Sequence, residues 1–308
     1  MIDPVPEGIR LLVAGGAGFI GSRTAVRARE AGIDAAVLVR ETSDCRRLPS
    51  SVPRITADLT DFAATGEALE SIRPTHVVNC ASSPGHPGQG GERIAAWRDS
   101  VLATVGLLEA CRRIPVHGVV HLSSSLVYAE STHPIREQDP LTPTTARGAL
   151  KLAAETAVRA WAGETSTPVT ILRPFSVYGP MEQEDHVVPT LLAAMRWERP
   201  FSMTPGDHRR DFVHVDDVVT AILTCAMRPG RGVETFNLGT GHEHTVAELV
   251  DVARAVTGRS LIVSDEPFAT RPPDRAHWVA DASRARSELS WEPRSLEEGI
   301  RSTWRELQ

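Results

Sequence analysis

The segment Gly15-Gly16-Ala17-Gly18-Phe19-Ile20-Gly21 constrains this 308-residue chain more than any other. It follows a short apolar run, Arg10 to Ala14, and opens a stretch of helical periodicity, Ile20 to Ala31, that stops at Gly32. Gly15, Gly18 and Gly21 form the pattern G-x-x-G-x-x-G. Glycines so spaced permit a tight turn and let backbone amides approach a pyrophosphate at the helix N-terminus. A glycine repeat alone says little. Placed between a buried strand and a helix, it predicts a dinucleotide site.

The rest of the chain extends that unit. Ala35 to Val39, Arg54 to Thr56, His76 to Cys80, Gly118 to Leu122 and Val169 to Leu172 read as strands. Phe62 to Ser71, about Arg93 to Arg113 and about Arg147 to Gly163 read as helices. Such alternation predicts an α/β fold with a doubly wound parallel Rossmann sheet. From Tyr178 onward prolines multiply and the elements shorten, which suggests a smaller C-terminal α/β part that binds substrate. Phe212 to Ala226 and Glu234 to Leu238 read as a return to the first domain. The expected division is 1–175 plus about 212–240 for the dinucleotide-binding domain, and about 176–211 and 241–308 for the substrate-binding domain.

Composition narrows the partners. A net charge of −6 without charge blocks argues against a nucleic-acid or anionic-membrane surface. No apolar run approaches the ~20 residues that span a bilayer, and Met1-Ile2-Asp3-Pro4 does not read as a signal peptide. Cys45, Cys80, Cys111 and Cys225 lack metal-ligand spacing and read as reduced packing residues. The expectation is a cytoplasmic protein with no metal, no nucleic-acid partner and no membrane partner.

The second strand ends Val37-Leu38-Val39-Arg40, without the acid that usually bonds the adenosine ribose. An arginine there suits a 2′-phosphate, so NADP is the expected cofactor and NAD the alternative. Arg46 and Arg47 could assist. Asp58, just past the third strand, either accepts from the adenine amino group or caps the helix that starts near Asp61.

One lysine, Lys151, stands against 32 arginines. Lysine is a compact ammonium whose pKa moves with its surroundings, whereas guanidinium stays charged. A lysine kept at one position therefore suggests chemistry or a tight hydrogen-bonded fit.

Several motifs together resemble the extended short-chain dehydrogenase/reductase family, the sugar-nucleotide epimerases, dehydratases and ketoreductases. They are the glycine turn, Asp58-Leu59, Val77-Val78-Asn79-Cys80-Ala81, Leu122-Ser123-Ser124-Ser125-Leu126-Val127-Tyr128, Leu172-Arg173-Pro174, Val177-Tyr178-Gly179-Pro180 and Arg210-Asp211-Phe212-Val213-His214. The tail from Asp281 to Gly299 is similar too. The resemblance implies a cofactor site of Gly15, Gly18, Phe19, Ile20, Gly21, Arg40, Asp58, Leu59, Ala81 and Lys151. It implies that Ser124 bonds the substrate oxygen and that Lys151 holds the nicotinamide ribose.

The family's tyrosine, four residues before that lysine, is replaced by Arg147, and Ser100 stands where an asparagine is usual. Guanidinium cannot transfer a proton near neutral pH. Three readings stay open. Another group donates the proton (Tyr128, Ser124 through water, His86 or Lys151 itself, its pKa lowered by Arg147). Alternatively Arg147 binds substrate or oxyanion while water relays the proton, or redox activity has been lost.

For the substrate, a nucleotide-diphosphate sugar, the resemblance implies Ser82, Ser124, Arg147, Tyr178, Arg210 and Arg271, with the two arginines on the diphosphate. Ser125-Leu126 replaces the Asp-Glu pair of the sugar dehydratases, which argues against that reaction. The expected activity is NADP-preferring reduction of a keto group on a nucleotide-linked deoxysugar. The alternatives are an epimerase of the same family and a non-catalytic cofactor-binding homologue. Helices near 93–113 and 147–163, apolar on more than one face, predict a homodimer.

Overall fold

The computed structural model describes residues 8–83, 91–203, 208–228, 230–266 and 277–308. Arg271 and His86 lie outside the described residues. The elements run β1 (Arg10–Ala14), α1 (Phe19–Glu30), β2 (Asp34–Val39), β3 (Arg54–Thr56), α2 (Phe62–Ile72), β4 (His76–Asn79) and α3 (Gly91–Trp97). A π-helical segment (Arg98–Leu102) joins α3 to α4 (Ala103–Cys111), followed by β5 (Gly118–Leu122), a 3₁₀ turn (Ser125–Val127), α5 (Ala146–Thr165) and β6 (Val169–Pro174). Then come β7 (Ser176–Tyr178), α6 (Val187–Trp197), β8 (Pro200–Phe201), β9 (Arg209–Arg210), β10 (Phe212–His214), α7 (Val215–Met227) and β11 (Val233–Leu238). The chain closes with β12 (His244–Thr245), α8 (Val246–Thr257), β13 (Ile262–Val263), α9 (Ser283–Leu289) and α10 (Leu296–Leu307).

The fold is α/β around a seven-stranded sheet of order β11-β6-β5-β4-β1-β2-β3. Every pairing from β3 across to β6 is parallel. The strand order reverses beside β1, so the turns after β1 and β4 diverge and leave a crevice at their carboxyl ends. Successive residues of a strand face opposite sides. Leu12 and Ala14 of β1 join Leu69, Leu107, Leu108 and Trp161 in one core, while Leu11 and Val13 are buried toward the other face. Burial on both faces is what continuous apolar strands require.

The long helix expected over about 93–113 is interrupted by the π-helical segment. There the Thr104 hydroxyl donates to the Ser100 carbonyl at 2.7 Å. Local π turns tend to mark functional sites.

Two compact units are formed. One comprises Met1–Val127, Leu141–Arg173 and Val219–Phe236; the other comprises Tyr128–Pro140, Pro174–Val218 and Asn237–Gln308. The boundaries differ from those drawn from sequence chiefly at 128–140 and 212–218. Within the second unit the Tyr128 hydroxyl donates to Asn237 Oδ1 at 2.6 Å, and Ile135 forms a parallel bridge with Ala280. Those bonds are made by residues more than a hundred positions apart, so nothing local announces them. The second unit's core packs Tyr178, Leu191, Leu192 and Met195 with Leu249, Ile300 and Trp304.

Leu107 is fully buried in the first core. Leu107→Ala is expected to lower the unfolding free energy by about 3 kcal/mol, through lost burial and the cavity left behind, read by urea denaturation.

Candidate active site

The cofactor end is built from β1 and α1. Gly18 caps α1 in an extended conformation, φ −72° and ψ 169°, without a side-chain cap and without an acid in the first turn. The helix N-terminus thus keeps its positive end for an external anion. Gly15 has φ +72°, and a Cβ there would lie 2.7 Å from the Ala81 backbone. A Cβ on Gly21 would overlap the Gly15 carbonyl. Phe19 and Ile20 are partly exposed at the helix start. This cradle fits a dinucleotide pyrophosphate, with the first-turn amides as donors.

In the β1–β2 register Ala14 is level with Leu38, which sets Arg40 beside the glycine turn at the end of β2. Arg40 is not alone. Its Nη1 lies 3.0 Å from Asp99 Oδ2, and Arg98 Nε lies 2.8 Å from Asp99 Oδ1. Asp58 Oδ1 accepts from the Thr60 amide at 2.9 Å and from the Thr60 hydroxyl at 2.8 Å. Partial burial acts to raise its pKa, but those donors and the nearby Arg40 and Arg98 hold the carboxyl below its usual range. The cap of α2 is Asp61, which accepts from the Ala64 amide, so Asp58 is not spent on that helix. Leu59 is buried in the core, which leaves only its backbone for a cofactor.

The catalytic end rests on α5. Thr145 caps the helix by accepting from the Gly148 amide at 3.1 Å. Gly148 lets the first turn sit directly on the Leu126 carbonyl, which a Cβ would overlap. Ser124 is thereby held beside α5; its Oγ accepts from the Leu126 amide at 3.2 Å, leaving its own proton for another acceptor. Lys151 is buried and its Nζ donates to the Leu122 carbonyl at 2.8 Å. Burial first, then the Arg147 guanidinium one helical turn away, lowers its pKa to about 8. Arg147 and Lys151 are therefore neighbours on α5, whose first turn sits on the Leu126 carbonyl two residues after Ser124. Ser82 is close to Ser100: their hydroxyls are 3.4 Å apart, and Ser100 Oγ also accepts from the Ser83 amide.

Behind Lys151 lie groups that sequence inspection missed. Glu155, one turn further along α5, is fully buried and takes Arg173 Nε at 2.9 Å and Arg173 Nη2 at 2.7 Å, with the Ser123 hydroxyl as a third donor. Its four-residue spacing from Lys151 was a usable signal. His121 is buried, with Nδ1 3.2 Å from Asn79 Nδ2, and burial above all lowers its pKa to about 3, so the ring is neutral. Desolvation pushes the Cys80 thiol up to about 12, which makes it a poor nucleophile.

In the second unit, two candidate tyrosines are buried with their hydroxyls bonded inside the fold. Tyr128 is 1% exposed and its hydroxyl proton goes to Asn237, so it is a poor proton donor to substrate. Tyr178 is also buried, packs edge-on against Phe212 and His214, and donates to the Leu296 carbonyl at 3.3 Å. Arg210 is partly exposed on β9, opposite His244 of β12. Its neighbour Asp211 is buried and anchors that strand, accepting from Thr240 N and Oγ1, Gly241 N and Ala280 N.

Among the described residues, no group of three or more His, Cys, Asp and Glu is placed to hold a metal ion, and no helix is long and apolar enough to cross a membrane.

A parallel sheet with a glycine cradle after its first strand, and a buried lysine bonded to the end of β5, defines a Rossmann-type protein of the extended short-chain class. The profile of the "NAD dependent epimerase/dehydratase family" matches residues 11–239, and the chain belongs to that family. It is 30% identical over 304 residues to a UDP-glucose 4-epimerase of Corynebacterium glutamicum, covering 92% of this chain and 91% of that protein. Among solved structures it resembles MoeE5 in complex with UDP-glucose and NAD, at 33% identity and TM-score 0.85 over 97% of this chain and 100% of that one. It also resembles the UDP-glucose 4-epimerase of Thermus thermophilus complexed with NAD, at 28% identity and TM-score 0.86, covering 96% and 98%.

Lys151 carries a folding cost. Its folded pKa of about 8 lies below the ordinary 10.5, so the penalty is full below pH 8 and fades as pH rises toward 10.5. The shift corresponds to roughly 3 kcal/mol, offset by about 1 kcal/mol from the bond to Leu122. Lys151→Met is therefore expected to be about 2 kcal/mol more stable than the parent at pH 7, with the gap closing above pH 10, read by denaturant melts across pH.

Proposed function

We propose that this protein interconverts C4 epimers of a nucleotide-linked hexose, with NAD as resident cofactor and Lys151 in the proton-transfer role usually filled by tyrosine. The observation that carries the reading is the buried Lys151 amine, bonded to the Leu122 carbonyl two residues before Ser124, one turn from Arg147 and with its pKa lowered to about 8. The similarity to UDP-glucose 4-epimerases, and to structures bound to NAD, supports epimerisation over the keto-sugar reduction expected from sequence and supports NAD over NADP.

In this reading the first unit binds the dinucleotide and offers Ser124, Arg147 and Lys151 to the sugar. Bound NAD supplies a hydride acceptor that returns the same hydride. Ser124 holds the C4 oxygen. The neutral Lys151 amine would take the C4 hydroxyl proton as that carbon is oxidised, and the ammonium would return it on reduction. No proton or electron is consumed overall. Arg147 stays charged. It keeps Lys151 titrating near the working pH and stabilises negative character on the oxygen. The Cys80 thiol and the buried, neutral His121 take no part as charged groups.

The test is incubation of the purified protein with UDP-glucose and NAD, with UDP-galactose detected by chromatography. The rate is expected to rise with pH through an apparent pKa near 8, as Lys151 loses its proton. Arg147→Gln removes a like charge, so the rising limb should move to higher pH. Absence of product from UDP-glucose and from other UDP- and dTDP-hexoses would overturn the reading.

Exposed Ile94, Trp97 and Leu102 form an apolar row along α3 and the π-helical segment, supporting the expected homodimer. Light scattering should give twice the 33.4 kDa chain mass, and Trp97→Glu should halve it.

A further inference from the structure

We infer that Asp99 sets the preference for NAD over NADP, by occupying the arginine that would otherwise receive a 2′-phosphate. The inference rests on the dinucleotide site proposed above and names the residue that selects between its two possible occupants.

Arg40 takes the place of the usual ribose-binding acid at the end of β2, and an uncommitted arginine there would favour a phosphate. It is committed. Asp99, brought from 59 residues away by the π-helical segment, holds Arg40 Nη1 at 3.0 Å on one carboxylate oxygen. Its other oxygen holds Arg98 Nε at 2.8 Å. The Asp99 side chain is only 16% exposed, while those of Arg40 and Arg98 are 42% and 54% exposed. The carboxylate is thus the sheltered member of the group and the guanidiniums are its solvated flanks. Asp58 lies close enough to feel both arginines. The rim therefore carries two guanidiniums and two carboxylates and is neutral as a set.

The two cofactors differ by one group at this rim. NADP adds a phosphate with a charge between −1 and −2, whereas NAD presents a hydroxyl. Beside a neutral rim the phosphate would meet the Asp99 carboxylate at close range and would have to take Arg40 from it. A hydroxyl meets no such repulsion and can donate to a carboxylate. Glu41, next in the chain and exposed, adds a further negative charge, and Arg46 is paired with Asp44 at 2.9 Å. The geometry thus cancels, from the π-helical segment, the positive charge that Arg40 places at the end of β2.

The experiment is direct binding of NADH and NADPH to the whole protein by fluorescence titration at fixed low salt, with no sugar substrate present. The parent protein is expected to bind NADH at least tenfold more tightly than NADPH. Asp99→Asn removes the charge and keeps the shape. It is expected to tighten NADPH binding about tenfold while changing NADH binding no more than about twofold. The double variant Asp99→Asn with Arg40→Ala should lose that gain, which separates release of Arg40 from a general change in the loop. Thermal melts confirm that each variant folds. Equal tightening of both nucleotides, an unchanged ratio in Asp99→Asn, or a parent that prefers NADPH overturns the inference while leaving the dinucleotide site standing. Binding of neither nucleotide overturns both.

Discussion

The buried ion pair between Glu155 and Arg173 fixes the geometry on which the catalytic end depends. Both side chains are 1% exposed, and the guanidinium meets the carboxylate through Nε and Nη2, with the Ser123 hydroxyl closing the set. Desolvation acts to raise the Glu155 pKa, yet Arg173 and Ser123 hold the carboxyl below its usual range. A buried pair of this kind tolerates little displacement, because an unpaired charge in the interior costs several kcal/mol. It ties α5 to β6 and to the end of β5, and so sets the rotation of α5. Lys151 lies one turn before Glu155 on the same face, which directs its amine to the Leu122 carbonyl. Arg147 lies a turn earlier again.

That placement turns a missing tyrosine into a different electrostatic arrangement. A tyrosine at position 147 would be a neutral acid lowered by the lysine. The arginine is a fixed charge, and the group that moves is the lysine. Burial and the adjacent guanidinium act in the same direction on an ammonium, so the lowered pKa has two concordant causes. Cys80 and Glu155 act the other way on Lys151 but are outweighed, the Glu155 carboxylate being bonded to Arg173. Cys80 is held as a thiol and His121 as a neutral ring, each chiefly by desolvation.

Much of the first unit was legible because its signals are local. The strand–glycine–helix turn and the apolar strands each need only a few consecutive residues. Ser124 and Lys151 were singled out through motif spacing. Tyr128 and Tyr178 were site candidates because a hydroxyl is a polar handle in the sequence, whereas folding buries both rings and commits both hydroxyls. Their partners, Asn237 and the Leu296 carbonyl, are over a hundred residues away. Arg40 was read as uncommitted for the same reason: nothing near it in the chain reveals Asp99.

What the sequence determined by itself was periodicity and chemistry at short range. It specified a parallel α/β sheet, a turn that only glycine can make against the Ala81 backbone, and one lysine in a chain of arginines. Tertiary structure decided which charges are spent. It paired Arg40 with Asp99, Arg173 with Glu155 and Asp211 with the Thr240 turn, and it left Lys151 buried without a carboxylate bonded to it. The division is physical. Backbone preference and hydrophobic period act over one or two turns of chain, whereas the energy of a charge depends on every group that folding brings within a few ångströms and on the water it removes.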